Sequence, residues 1–143
     1  MKRIFAVALI LAAGFLTTGS AIAQQHNTVV ANIPFTFILN GRSLPAGHYT
    51  ISSDFNTPNV LRIEDRKDSV HIMTMAMSGA DESQNNNTLV FHRYGNQHFL
   101  SAIRANGASL NCHLATSKQE KWAKAQTQEA SLRVNDDILI ALE

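Results

Sequence analysis

Histidine and cysteine are the residues of this chain best suited to chemistry, and their spacing limits what they can do. The sequence contains six histidines and a single cysteine. His92 and His98 flank a Gly-Asn pair that favours a two-residue hairpin turn, so their imidazoles are predicted to lie on opposite faces of the ribbon. A metal site formed by this pair is therefore disfavoured. Cys112 and His113 are adjacent in sequence, but adjacency does not make them a catalytic pair. A thiolate nucleophile needs a base whose side chain lies close to it in the folded structure, and a third group that orients the base.

Three methionines, Met73, Met75 and Met77, recur at a spacing of two. Thioether sulfur is a soft ligand, so one hypothesis is a site for Cu(I). Over residues 70–77, however, apolar residues occur at both odd-numbered and even-numbered positions. This pattern is typical of a strand that is covered on both faces. Methionine is a flexible filler of irregular cores. Core filling is the interpretation that the sequence favours.

Two further candidates are an aromatic platform and a carboxylate pair. A platform for a sugar or a peptide would draw on most of the larger aromatic residues: Tyr49, Phe91, Tyr94, Phe99 and Trp122. In so small a domain most of these rings are needed inside, because each buries about 150–250 Å². Asp136 and Asp137 precede a predicted strand, where such residues favour a turn. The chain lacks G-x-S-x-G, H-E-x-x-H, C-x-x-C and phosphate-binding glycine motifs, so we predict no catalytic residue, metal ligand or cofactor.

The first 23 residues have the organisation of a secretory signal peptide. Lys2 and Arg3 form a charged start, and an apolar run over residues 4–16 follows. This run is about 13 residues long, whereas a helix that spans a membrane needs about 20. A retained membrane anchor is therefore not expected.

The predicted cleavage site has the small-x-small form, with Ala21 and Ala23 before Gln24. Cleavage there leaves residues 24–143, a length that suits one domain. We expect this domain to be periplasmic or secreted. Cys112 has no internal disulfide partner, and two interpretations stay open: a small buried residue, or the link of a disulfide-bonded homodimer.

The charge balance argues against a nucleic-acid partner. Loss of Lys2 and Arg3 with the signal peptide leaves one fewer basic than acidic residue. The surviving charges are mixed in sign, as in residues 62–68, which we interpret as a solvated turn. A nucleic-acid-binding protein would present a patch of one sign.

Short strands and tight turns organise most of residues 24–143. The alternation of apolar residues over 29–39 predicts a strand with one buried face, and Pro34 places it at a sheet edge or at a bulge. A polar segment at 79–87 is the longest predicted loop. Turns are predicted at 40–41, 44–47, 56–59, 95–96 and 106–107, and further strands at 48–53, 60–64, 70–77, 88–94, 97–104 and 138–142.

One helix is predicted near the C-terminus. Ser117 and Glu120 have the spacing of a capping box, and the residues up to about 131 favour helix. The predicted helix contains few apolar residues, so we expect Trp122 to attach it to the sheet. The predicted fold class is all-β: a small antiparallel sandwich or partly closed barrel of about seven or eight strands, with this one C-terminal helix.

Three segments carry a resemblance to a known family: residues 33–37, 44–51 and 89–100. They resemble a family of small exported proteins of Acidobacteria that share the patterns PF.F...G..LPAG.Y.I and FHRYG.Q.FL. The similarity covers nearly the whole of residues 24–143, although residues 114–117 replace the LP.S of such sequences. The resemblance implies a single bacterial domain, periplasmic or secreted, and it lends no catalytic residue and no ligand.

The function expected first is a non-enzymatic envelope module that binds or scaffolds another component, either an envelope protein or a small ligand. The alternative is a periplasmic carrier of a small ligand or a metal, with His71, His92 or Met75 at the mouth of a barrel. An enzyme ranks third. A carrier requires a sizeable cavity with converging polar groups, whereas a scaffold requires an exposed apolar patch or an open sheet edge.

Overall fold

The computed structural model describes residues 26–65, 67, 70–79, 87–106, 110–129 and 136–143. The predicted signal peptide, with Ala21, Ala23 and Gln24, lies outside these residues, as does most of the predicted loop at 79–87. The described chain is all-β with one C-terminal helix, as predicted. Its elements are β1 (His26–Ile33), β2 (Phe37–Leu39), β3 (Arg42–Leu44), β4 (Gly47–Asp54), β5 (Thr57–Asp65), β6 (His71–Ser78), β7 (Thr88–Tyr94), β8 (Gln97–Ala105), β9 (Leu110–Leu114), α1 (Lys118–Glu129) and β10 (Asp136–Ala141).

All ten strands belong to one continuous sheet, and no ladder among the described residues closes it. The strands follow the order β1-β4-β5-β6-β9-β8, and β8 continues through β7 to β10. The β2-β3 hairpin joins β8 by a parallel bridge between Ile38 and Phe99, and the other pairs are antiparallel. The two ends of the sheet meet at one backbone hydrogen bond, which Glu143 N donates to Val30 O at 2.9 Å.

The curled sheet encloses one principal core. Side chains from each of β1 to β9 pack into it, and Tyr49, Phe37 and Phe91 are the largest that are fully buried. Phe35, in the link between β1 and β2, packs against this core. Its ring stacks on His98 with 4.2 Å between centroids. Apolar burial of this extent is the main stabilising term of the fold.

The two predicted hairpin turns are present. Asn40 and Gly41 have φ angles of 51° and 77°, the two positive values that a type I′ turn requires. Gly95 has a φ of 60° and leaves Tyr94 opposite Gln97. In the resulting register His92 pairs with Phe99 and Arg93 pairs with His98. His92 and His98 therefore lie on opposite faces, as predicted.

Several predicted element boundaries are wrong. The strand predicted over 29–39 is two strands, because β1 ends at Ile33 before Pro34, although β1 does lie at an end of the strand order. β5 begins at Thr57, inside the predicted turn, since the register shift near Asp54 leaves Pro58 without a partner on β4. The predicted turn at 62–68 is also strand up to Asp65. β9 was not predicted, and β10 already contains the two aspartates at 136 and 137.

Helix α1 covers part of the outer surface of β7 and β8. Ser117 caps it, because its Oγ accepts a hydrogen bond of 3.1 Å from Glu120 N. Glu120, Ala123 and Thr127 are buried and recur along one helix face. Trp122 lies off this stripe and is 73% exposed, so the prediction that it anchors the helix is wrong. The predicted end at 131 lies outside the described residues.

Candidate functional site

A row of exposed methionines on β6 is the first candidate site among the described residues. Met73, Met75 and Met77 are 64%, 76% and 62% exposed. We call these three residues the methionine row. The alternate residues of β6 point into the core, while no described element covers the other face. The prediction of a strand covered on both faces, with the methionines as core filling, is therefore wrong.

The two strands that flank β6 give the methionine row different surroundings. On β5, Arg62 lies opposite Met73 and Val60 lies opposite Met75. On β9, His113 lies directly opposite Met77. We call this surface of β5, β6 and β9 the outer face. Arg62 adds a positive charge at one end of the methionine row, and His113 adds an imidazole at the other.

His113 leans from β9 towards β6, where a glycine makes room for its ring. A Cβ atom at Gly79 would lie 2.8 Å from His113 Nε2 and 2.9 Å from its Cδ2. Gly79 N also donates a 3.0 Å hydrogen bond to Asn111 O, which extends the β6-β9 pairing by one residue. The imidazole therefore rests against the backbone at Gly79, one residue past the end of β6.

Cys112 belongs to the core and not to the outer face. Residues of β9 alternate between buried and half-buried, with Cys112 on the buried side and His113 on the other. Burial raises the pKa of the Cys112 thiol to about 11. The two neighbours are thus kept apart by the strand itself. Cys112 is a small buried residue, and a homodimer linked through it stays a prediction.

A second cluster of polar side chains lies where α1 meets the sheet. His92 Nδ1 is 2.8 Å from Glu120 Oε1, and His92 Nε2 is 3.0 Å from Ser101 Oγ. We call these three residues the polar cluster. Asp137 Oδ1 lies 4.0 Å from His92 Nε2 at its edge. The Glu120 side chain is only 7% exposed, so the imidazole supplies the partner that a buried carboxylate requires.

Two local features bring the polar cluster together. A β-bulge on β8 places Ser101 as an extra residue, because Leu100 pairs with Phe91 and Ala102 pairs with Val90. The N-terminal cap of α1 fixes Glu120 in the first helical turn. The sequence predicts Glu120 only as a member of a capping box with Ser117, and it does not predict this cluster. The available signal was a carboxylate in the first turn of a helix with few apolar residues to attach it.

Chemically, the polar cluster is a hydroxyl, an imidazole and a carboxylate in hydrogen-bonded series, the arrangement that activates a nucleophile in many hydrolases. Tyr94 lies beside it, with 6.2 Å between its ring centroid and that of His92. Burial, together with the charges of Glu120 and Asp137, raises the pKa of Tyr94. The same hydrogen bonds also attach the first turn of α1 to β7 and β8.

The remaining sequence-derived candidates are not brought together. His71 Nδ1 lies 3.3 Å from Glu64 on β5 and borders a cleft of about 360 Å³. His92 lies in the polar cluster and Met75 in the methionine row, so the three suggested carrier residues have separate surroundings. Of the suggested aromatic platform, only Trp122 is exposed, whereas the other four rings belong to buried clusters.

Within the described residues, no group of three or more His, Cys, Asp or Glu side chains is placed to hold a metal ion. In the same part of the chain, no helix has the length and apolar character needed to cross a membrane. No protein-family model matches this sequence, and neither a curated protein nor a solved structure is significantly similar to it.

Proposed function

We propose that the protein is an exported, non-enzymatic binding module of the periplasm or the extracellular space, and that the outer face is its contact surface. The observation that carries this proposal is the exposure of all three side chains of the methionine row. Contiguous apolar surface of this kind marks sites of interaction in soluble domains. Methionine suits such a surface, because its flexible and polarisable side chain adapts to what it contacts.

The fold supports a contact on the outside of the sheet. Side chains from nine strands fill the described core, and the side chains of the methionine row lie on its outside. Charged groups border the row on one side, where Arg62 Nε lies 3.9 Å from Glu64 Oε1. A polar margin around apolar side chains is the usual organisation of a binding surface.

Hydroxyl-radical footprinting tests the proposal even while the ligand is unidentified. We expect Met73, Met75 and Met77 to oxidise rapidly in the purified protein and more slowly in the intact cells that naturally produce it. Trp122 is the internal control, because it is equally exposed but lies on α1. Equal oxidation of the methionine row in both settings, relative to Trp122, would rule out a covered outer face. The intact mass of the same sample locates the N-terminus, which we expect at Gln24.

The polar cluster favours a second candidate function, acyl transfer from an ester to Ser101. His92 Nε2 would accept the proton of Ser101 Oγ and pass it to the leaving alcohol, while Glu120 keeps the imidazole oriented. A fluorophosphonate probe tests this directly. Labelling of Ser101 that is lost in His92→Gln supports the candidate, whereas an unlabelled Ser101 leaves the polar cluster as an attachment point for α1.

A further inference from the structure

We propose that the cleft between β3 and β6 binds an extended segment of another polypeptide, which pairs with the open edge of β6 as an additional strand. The inference goes beyond the proposed function, because the site is an edge of β6 and not the outer face. In this mode of recognition, main-chain hydrogen bonds to an unpaired sheet edge give the affinity, and alternate side chains give the specificity. Two unpaired strand edges, the cleft between them and one cationic side chain carry the proposal.

One wall of the cleft is the first half of β6, which has a strand neighbour on one side only. β5 pairs with this half, whereas β9 pairs only with the last three residues of β6. Asp65 N donates a 3.1 Å hydrogen bond to Val70 O, and hydrogen-bonded and non-hydrogen-bonded pairs alternate along an antiparallel ladder. The backbone groups of Ile72 therefore point towards β5, whereas those of His71 and Met73 point towards the opposite edge. Among the described residues, no strand pairs with that edge.

The other wall of the cleft is β3, whose one strand neighbour in the described sheet is β2. Leu39 and Arg42 flank the two-residue turn as a hydrogen-bonded pair, so Ser43 directs its backbone N–H and C=O away from β2. β3 runs antiparallel to β6, because β2 is parallel to β8 and two antiparallel ladders separate β8 from β6. No ladder in the described chain joins β3 to β6. The cleft therefore lies between two open edges.

The cleft has the size and the lining of a site for side chains. Its volume is about 360 Å³, and ligand sites usually have volumes of about 300–1,000 Å³. Leu44 and Ile72 line it and are only 4% and 6% exposed, so they form an apolar floor. Alternate side chains of a strand point to the same face. An added strand can therefore direct an apolar side chain onto this floor.

Arg42 supplies the charge that selects the partner. It is exposed, it lines the cleft, and none of the ion pairs between described residues includes it. Glu64 contacts His71 from β5, on the side of β6 away from the cleft. An acidic side chain of the added strand can therefore pair with Arg42.

The direction of the added strand sets the order of its side chains. Antiparallel pairing is slightly more stable than parallel pairing, and β6 offers the longer open edge, so we place the added strand antiparallel to β6. It then runs parallel to β3, along which Arg42 precedes Leu44 by two residues on one face. The matching sequence pattern is acidic–x–apolar.

Backbone NMR with a defined peptide tests the site group by group. The probe is fluorescein-labelled Thr-Glu-Thr-Val-Thr-Val, which has the acidic–x–apolar pattern and residues that favour strands. We would add it to the purified, ¹⁵N-labelled protein. We expect the amide resonances of Ser43, His71 and Met73 to shift and their hydrogen exchange to slow. The amide of Ile72, which already faces β5, is the control and should exchange at its original rate. Unshifted edge amides at a millimolar concentration of the probe would overturn the site.

A methylated probe separates strand addition from binding through side chains alone. The same peptide with a methyl group on each amide nitrogen keeps its side chains but has no N–H to donate to a ladder. We expect its affinity, measured by fluorescence anisotropy, to be at least about tenfold lower. Equal affinities of the two peptides would overturn strand addition.

Reversal of charge tests the role of Arg42. Arg42→Glu should weaken binding of the glutamate probe by at least about tenfold, because it places like charges together. It should also strengthen binding of Thr-Lys-Thr-Val-Thr-Val. Lys124→Glu makes the same change of charge at an exposed position of α1 and should leave both affinities unchanged. Equal effects of the two substitutions would overturn the acidic preference.

Two other occupants of the cleft would contradict the proposal. If dilution of the protein without peptide converts dimer to monomer and speeds hydrogen exchange at His71 and Met73, the cleft is an interface between two copies of the chain. If these amides are protected even in the dilute monomer, another part of the same chain fills the cleft. We expect instead that both amides of the free protein exchange faster than that of Ile72 at every concentration.

Discussion

Glu120 Oε1 lies 2.8 Å from His92 Nδ1, and this contact joins the first turn of α1 to the outer surface of β7. The helix has few other means of attachment, because Ala123 is its one apolar member of the small buried cluster with Ile38, Tyr94 and Phe99. A helix of this kind depends on specific polar contacts more than on buried apolar area. The His92–Glu120 pair should therefore control whether α1 stays on the sheet.

We expect His92→Phe to lower the free energy of unfolding by about 1–3 kcal/mol, because it leaves the buried Glu120 carboxylate without this partner. Glu120→Leu should lower it by less, because the half-buried His92 keeps its contact with Ser101. The double variant should lose less than the sum of the single losses, since the partners are then removed together. Urea unfolding followed by circular dichroism gives these values. Lys124→Leu, at an exposed position of α1, is the control and should change stability by less than about 0.5 kcal/mol. If the loss in the double variant equals the sum of the two single losses, the interaction between His92 and Glu120 contributes nothing to stability.

Tyr49 supplies a similar polar attachment inside the core. Its hydroxyl donates a 2.7 Å hydrogen bond to Pro45 O, four residues earlier, and so fixes the turn that precedes β4. Tyr49→Phe keeps the ring and leaves that carbonyl without this donor. We expect a loss of about 1 kcal/mol in the free energy of unfolding, measured by urea denaturation. An unchanged midpoint would mean that the turn is held by its backbone alone.

The hairpins were the most predictable part of the fold, because their signals are local. A Gly-Asn pair between two alternating runs fixed β7 and β8 to within a residue, and Asn40-Gly41 fixed the β2-β3 turn. The limits of β5 and the presence of β9 depend instead on pairing with distant strands. Pro58 is accepted in β5 only because a register shift frees it from β4.

The candidate sites were less predictable, for a related reason. The sequence of β6 has apolar residues at both odd-numbered and even-numbered positions. That pattern does not show whether a second layer of the structure covers the outer face. The polar cluster needs a bulge at Ser101 and a helix that crosses β7, and neither follows from local sequence. Burial on one face and spatial clustering are tertiary properties.

The buried thiol of Cys112 should make stability depend on pH in the alkaline range. Burial raises its pKa from an ordinary value of 9.0 to about 11. In the unfolded chain the thiol therefore ionises first, so its contribution is complete below pH 9 and is lost as the pH rises towards 11. Between these values we expect the free energy of unfolding to fall by up to about 2 kcal/mol more than in Cys112→Ala. Urea titrations at four pH values would show this, and parallel profiles would contradict it.

Gly79→Ala should move the His113 ring with little effect on the backbone. The new Cβ would lie 2.8 Å from His113 Nε2, closer than real contacts allow, so the ring must rotate away from β6. The φ angle of Gly79 is outside the positive range, as only Gly41 and Gly95 have positive values among the described glycines. Alanine at such a position usually stabilises a protein by about 0.4–1 kcal/mol through the unfolded state. We therefore expect a near-neutral change in unfolding free energy together with shifted His113 ring resonances.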